Sequence, residues 1–287
     1  MAVVVVTDSS SRLCAETRTA HGIRQVPLHV LVEGADFSDG VDEIPPDICD
    51  FGHVTTAGAT PTELADAYDA ALTASGGDGV VAVHISAALS STFSAGLQAA
   101  RRFGPKVRVV NSRSAAMGVG FVALAAARSA ADGSDLDGVE DAARRAVPRV
   151  RGFVVVSRLD NLRRSGRIGT AATWLSSALA IKPLLQVDPD GRLVLVQRVR
   201  TLTKSVAAMV ERVVDEVGER DAQLAVHHVA DPAAAAALAG TLEQRLPHCA
   251  PATTSDMGPV LAVHLGAGAL GVIVALGDDA SAATTAR

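Results

Sequence analysis

The chain has 287 residues and carries 26 Lys+Arg against 31 Asp+Glu, a formal charge of −5, with its basic residues scattered except around 144–167. That distribution argues against nucleic acid as the main partner, because phosphate binding needs a concentrated basic face. An aromatic content of 3% likewise argues against stacking platforms for unpaired bases.

At roughly 150 residues per domain the length predicts two domains. The boundary is expected after Pro148, giving an N-terminal α/β domain over 1–150, a C-terminal α/β domain over 151–278 and a flexible polar tail over 279–287. The start, MAVVVVTDSSS, lacks a charged leader region and reads as a first strand at 2–6 rather than a signal peptide. Further β-branched runs at 26–32, 80–85 and 107–111 suit strands buried on both faces. Between them, Thr60-Pro61-Thr62-Glu63 forms a capping box that predicts a helix over 61–75. Helical patterns follow at 91–103, 114–131 and 136–147. Strands alternating with helices imply a parallel sheet with right-handed crossovers.

In the second half, 153–157 reads as a strand, 170–180 as a helix and 181–199 as a hairpin turned at Asp188–Gly191. A helix near 203–217, a strand at 223–229, a helix at 232–245 and a final strand-like pair, VLAVHL and VIVAL, complete the chain. The stretch from Val260 to Leu276 carries His264 and three glycines, and falls short of the roughly 18 apolar residues of a membrane span. A cytoplasmic protein is the expectation. Cys14, Cys49 and Cys249 lie far apart with no metal-ligand spacing, so no metal site is expected.

Three parallel strands run into hydroxyl-bearing residues: Thr7-Asp8-Ser9-Ser10-Ser11, Ser86 with Ser90-Ser91-Thr92, and Ser112 with Ser114. In open α/β sheets the ligand crevice lies at the carboxyl ends of the strands. Hydroxyls and helix N–H groups there suit a carboxylate or phosphate, although helix capping accounts for the same residues. HLGAGALG at 264–271 has GxGxxG spacing, but the fingerprint for dinucleotides requires a following helix and a later acidic residue, whereas VIVAL and the chain end follow. The glycines are expected to let backbone pass close to another element or a ligand. His227 and His228 sit on a strand pattern and point to opposite faces, which argues against joint metal ligation. Asp8, Ser9 and His264 leave a hydrolytic triad open, since triads are defined by geometry rather than order. The basic run 159–169 reads either as a solvated turn or as a frame that fixes Arg167 for an anion.

The segments VVTDSSS (5–11), VTTAGATPTEL (54–64), VHISAALSSTF (83–93), VVNSRSAAMGVG (109–120), LDNLRRSGRIGTAATWLSSALAIKPLLQVDPDGRL (159–193), VRTLTKS (199–205) and SDMGPVLAVHLGAGALG (255–271) together resemble the DegV family of bacterial fatty acid-binding proteins. The resemblance runs from end to end. It implies a two-domain α/β fold with one long-chain fatty acid in a buried tunnel and its carboxylate at the domain junction. It further implies no catalysis by this chain and no cofactor beyond the bound acid. The partner it implies is the ATP-binding subunit of a fatty acid kinase, which makes an acyl phosphate for phospholipid synthesis, and it leaves room for transient membrane contact. By the same resemblance the carboxylate contacts fall on Thr56, on Ser90, Ser91 and Thr92, and on His264. Arg167 falls near the head group and Arg200 on the kinase-facing surface. The family's usual Thr-Ser-x-Pro segment is here Thr56-Ala57-Gly58-Ala59, which lacks one hydroxyl and one rigid turn. A serine esterase using Ser9 or Ser90 with His264, and a carrier or sensor of a different lipid, are the rival readings.

Overall fold

The computed structural model describes residues 2–45, 47, 48, 51, 53–168 and 181–277. In chain order the first half contains β1 (Val4–Asp8), α1 (Ala15–Ala20), β2 (Arg24–Val26), β3 (His29–Val32), β4 (Ala35–Ser38), β5 (Val54–Ala57), α2 (Pro61–Ala74), β6 (Val80–His84), α3 (Thr92–Ala100), β7 (Val107–Asn111), α4 (Met117–Ala131) and α5 (Leu136–Ala146). The second half contains β8 (Val150–Val155), α6 (Asp160–Ser165), β9 (Leu184–Val187), β10 (Leu193–Gln197), α7 (Leu202–Val217), β11 (Ala222–His228), α8 (Pro232–Arg245), β12 (Thr253–Asp256), α9 (Gly258–Leu265) and β13 (Leu270–Leu276). The helix expected over 170–180 and the tail over 279–287 lie outside the described residues.

Strand alternation sorts the valines of the first sheet to two faces. The sheet is parallel, in the order β2-β1-β6-β7. Val6, Val80, Ala82 and Val109 pack against Leu64, Ala65 and Tyr68 of α2 and Ala99 of α3. Val5, Val81, Val83 and Val110 face the opposite way, into a core shared with α4 and α5. The capping box forms as expected: Thr60 accepts from the Glu63 amide, and the Glu63 carboxylate accepts from the Thr60 amide at 2.7 Å.

A second sheet, mixed and in the order β10-β9-β8-β13-β11-β12, carries α7 and α8 on one face. Its other face presents Val154, Leu185, Ala225 and Ile273 to the core that holds α4. Helix α4 is therefore wedged between two sheets. That position explains why its sequence, MGVGFVALAAARSAA, is apolar almost all round and buried along most of its length. Gly120 serves this packing, because a Cβ there would lie 2.8 Å from the Ser11 carbonyl. No described helix is long and apolar enough to cross a membrane.

Two expected elements differ. The strand expected over 26–32 is two strands in different sheets: β2 pairs parallel to β1, whereas β3 joins β4 and β5 in a small antiparallel sheet. Pro27 lacks the N–H a continuous ladder needs, and the next amide, Leu28, donates instead to Ser9 Oγ at 3.0 Å. The segment VLAVHL is the helix α9 rather than a strand, with Pro259 in its first turn. A short buried apolar run has no periodicity that separates the two, and the Pro after Gly258 is the signal that favours helix.

Candidate functional site

The three hydroxyl-rich strand ends have different fates. After β1, Thr7 to Ser11 are all buried. Asp8 Oδ2 accepts from the Ile85 amide at 2.9 Å and from His84 Nδ1 at 3.0 Å, while Oδ1 accepts from the amide and hydroxyl of Ser10. His84 Nε2 lies 2.7 Å from Tyr68 Oη, and burial together with the Asp8 charge pushes the Tyr68 hydroxyl upward, so that it keeps its proton. After β7, Ser112 and Ser114 bond to each other. Ser86 donates to the Gly191 carbonyl at 2.8 Å, tying β6 to the β9–β10 turn. These groups are closed on one another.

Ser90 and Ser91, by contrast, line a cavity of about 730 Å³. Its walls come from three sources. Helix α3 contributes Ser91, Ser94, Ala95 and Gln98, the i, i+3, i+4, i+7 positions of one face. Helix α9 contributes Met257, Val260, Leu261, His264 and Leu265, the same spacing extended by one residue. The inner face of the mixed sheet contributes Gly152 and Val154 of β8, Val187 of β9 and Gly271 and Ile273 of β13. The lining is predominantly apolar; Thr56, Ser90, Ser91 and His264 gather where β5, the start of α3 and the end of α9 meet, while Gln98 on α3 and His227 on the mixed sheet stand apart.

At that end Thr56 Oγ1 lies 2.8 Å from His264 Nε2. Burial, and then the nearby Arg167 charge, lower the His264 pKa to about 4, so the imidazole is neutral at pH 7. His264 Nδ1 is buried without a hydrogen-bond partner among the described residues. An unmet buried polar atom is costly, so a cavity ligand bearing a complementary group would be favoured here. Arg167 follows Gly166, whose φ of 68° ends α6. Its guanidinium donates to the carbonyls of Ser165 at 2.5 Å and Leu89 at 3.3 Å. The first turn of α3 adds a positive helix end, with the Thr92 amide donating to Ser90 Oγ at 3.2 Å.

Gly58 holds this corner together. A Cβ at position 58 would lie 2.6 Å from Thr92 Oγ1 and 3.2 Å from the hydroxyls of Ser90 and Ser91. The absence of a side chain lets the β5 loop press against the three hydroxyls.

Of the residues singled out in the sequence, Thr56, Ser90, Ser91, Arg167 and His264 come together on one cavity. Thr92 does not line it. Thr92 is fully buried at the start of α3, with Oγ1 2.9 Å from Ser90 Oγ, and so stands behind Ser90. Arg200 is exposed between β10 and α7, away from the cavity wall. The triad does not assemble, since Asp8 pairs with His84, Ser9 accepts from Leu28 and His264 pairs with Thr56. His227 is on the cavity wall, where burial lowers its pKa to about 3. Its Nε2 accepts from the Met117 amide at 3.3 Å, so Nδ1 carries the proton, 3.0 Å from Ser255 Oγ. Sequence reasoning missed Ser94, Gln98, Met257 and Gly152, whereas Gly271 is the last glycine of the GxGxxG run expected to allow a close approach. The four-residue spacing of Ser90, Ser94 and Gln98 is the signal that marked the polar face of α3.

Fold and site define a class: α/β proteins in which two sheets and their helices enclose an apolar cavity with a polar end. The profile described as "Uncharacterised protein, DegV family" matches residues 2–276. A DegV domain-containing protein of Mycobacterium tuberculosis is 63% identical over 277 residues, covering 96% of this chain and 98% of the relative. A solved DegV family protein from Thermus thermophilus, described by its fatty acid binding, superposes with a TM-score of 0.87 at 28% identity, covering 96% of this chain and 100% of that one. DegV of Bacillus subtilis, described as a fatty acid binding protein, gives 0.86 at 26% identity with coverage of 96% and 100%. The chain belongs to the DegV family.

Proposed function

We propose that this protein is a fatty acid carrier rather than an enzyme. One long-chain acid occupies the cavity, with its carboxylate among Thr56, Ser90, Ser91 and His264, Arg167 beside it and its tail along the mixed sheet. The observation that carries the reading is the division of the cavity: a largely apolar length that ends in hydroxyls, a guanidinium and an imidazole nitrogen without a partner among the described residues. The fatty acid binding described for the Thermus thermophilus and Bacillus subtilis relatives supports it. Each buried CH₂ contributes about 0.8 kcal/mol, so the tail supplies most of the affinity. An ionised carboxylate in a dry cavity is costly unless hydrogen-bonded, so the polar end fixes its orientation.

The carrier presents that carboxylate to the ATP-binding subunit of a cytoplasmic fatty acid kinase, for acyl-phosphate formation and phospholipid synthesis. In this reading residues 1–150 and 151–278 act as two domains with the head group at their junction. Arg167 stands beside the head group and Arg200 on the kinase-facing surface. Native mass spectrometry of the purified protein, followed by lipid extraction, tests the carrier role: one stoichiometric fatty acid is expected, and an empty protein or a different ligand class would overturn it. For the kinase role, Arg167→Ala is expected to keep its lipid while phosphorylation by the cognate kinase falls by an order of magnitude. Unaltered turnover would return Arg167 to a structural part.

A further inference from the structure

Helix α9 measures the cavity. Met257, at its N-cap, and His264, in its last turn, lie seven residues apart, a separation of about 10 Å along the axis at 1.5 Å per residue. His264 stands with Thr56 at the polar end, and Met257 is therefore placed well down the apolar length.

Beneath Met257 the sheet has a floor of two rows. Pairing across β11, β13 and β8 puts His227, Gly271 and Val154 side by side, and in the next row Ala225, Ile273 and Gly152. Residues paired across strands share a face, so each row carries one glycine, and the two glycines sit diagonally. Glycine in a strand interior weakens the strand and often marks a close approach. A Cβ on Gly271 would lie 2.8 Å from Met257 Cε, and one on Gly152 would lie 3.1 Å from Ile273 Cδ1 and 3.3 Å from Val187 Cγ2. The glycines let these side chains lie low on the sheet and leave the cavity open above them. The GxGxxG spacing thereby has a physical account without a nucleotide. Gly266 and Gly268, with φ of 79° and 73°, turn the chain from α9 into β13, and Gly271 is the seat of Met257.

We propose that Met257, seated on Gly271, is the residue that sets which acyl chain lengths this protein accepts. The proposal rests on the fatty acid reading above and adds the determinant of its specificity. Methionine suits this task, being unbranched, flexible and able to fill a gap of changing shape. A methyl group at position 271 lifts the thioether into the cavity, and truncation at position 257 opens space beneath.

The test loads delipidated protein with an equimolar mixture of saturated fatty acids of increasing length, removes the excess, and compares the bound acids by extraction and mass spectrometry. Gly271→Ala is expected to move the bound population toward shorter chains and Met257→Ala toward longer ones. The discrimination should be about fourfold for each methylene displaced, the equivalent of about 0.8 kcal/mol. The double variant is expected to return toward the wild-type distribution, which a merely structural role for either residue would not produce. Circular dichroism reports folding, and if Gly271→Ala fails to fold, Met257→Ala alone carries the test. Identical distributions in folded variants would overturn the gauge and leave the carrier reading standing. Wild-type protein that takes up no acid from the mixture would overturn the carrier reading itself.

Discussion

Two clusters of polar side chains sit at the carboxyl ends of neighbouring parallel strands, and they have opposite economies. Around Asp8, both carboxylate oxygens are filled by Ser10, His84 and the Ile85 amide, and His84 reaches Tyr68, all out of contact with solvent. Around Ser90, the hydroxyls meet one another, Gly58 and a cavity, and His264 keeps a buried nitrogen without a partner among the described residues. A closed network locks β1, β6 and α2 together. An open one retains hydrogen-bonding capacity that only something in the cavity can use. Residue type does not separate the two clusters; the count of unmet donors and acceptors does.

The largest effect expected from this contrast is on stability. Asp8→Ala removes the acceptor shared by His84, Ser10 and Ile85 and leaves them buried and unpaired, so unfolding in urea should come earlier by about 3 kcal/mol or more. A loss below about 1 kcal/mol would mean that the network is not closed as described. Next comes the open cluster, with a different signature. Ser90→Ala combined with Thr92→Ala empties a buried threonine site and frees the Thr92 amide, so it should cost about 1–2 kcal/mol of stability, less than Asp8→Ala, while lipid affinity drops by one to two orders of magnitude, the scale of hydrogen bonds to a charged group. Equal lipid occupancy in wild type and double variant would remove these hydroxyls from the head-group site.

The elements legible in the sequence were those whose signals are local. Thr60 and Glu63 fixed the start of α2, Pro232 opens α8 as expected, and Asp188 and Gly191 close the β9–β10 turn with a 2.8 Å bond. The break at Pro27 and the helix at Gly258–Leu265 were not legible, because each depends on what the segment packs against: Ser9 for Leu28, the cavity for α9. The same division holds in the site. Ser90, Ser91, Thr56, Arg167 and His264 could be placed by motif, but that Thr92 stands behind Ser90, or that Gly271 seats Met257, is three-dimensional information. The hydroxyls after β1 and β7 misled in the same way, since sequence lists donors without saying which are already occupied.

Titration offers a third and smaller contrast. His227 and His264 are held neutral by burial, with pKa values lowered from 6.5 to about 3 and about 4. Below about pH 6.5 the unfolded chain binds protons that the folded chain refuses, so stability rises with pH through this window and falls as pH drops toward 4 for His264 and 3 for His227. Each histidine contributes a slope of at most about 1.4 kcal/mol per pH unit. Urea midpoints at pH 7 and pH 5 measure it, and His227→Gln should flatten the difference. No change in slope on that substitution would place the acid sensitivity elsewhere.

The smallest effect falls on Ser91, and it separates capping from binding. Ser91 occupies the N-cap of α3, where a serine would ordinarily accept from the helix amides, yet its side chain makes no capping bond, and the residue is exposed on the cavity wall. If the hydroxyl served the helix, Ser91→Ala would cost about 1 kcal/mol of stability. With no cap bond to lose, the unfolding midpoint should stay within about 0.5 kcal/mol of wild type. Lipid affinity, measured by displacement of a fluorescent fatty acid, should fall about threefold to tenfold, the scale of one hydrogen bond. The opposite pattern, a weaker fold and unchanged affinity, would make Ser91 part of the closed architecture after all and confine the open cluster to Ser90, Thr56 and His264.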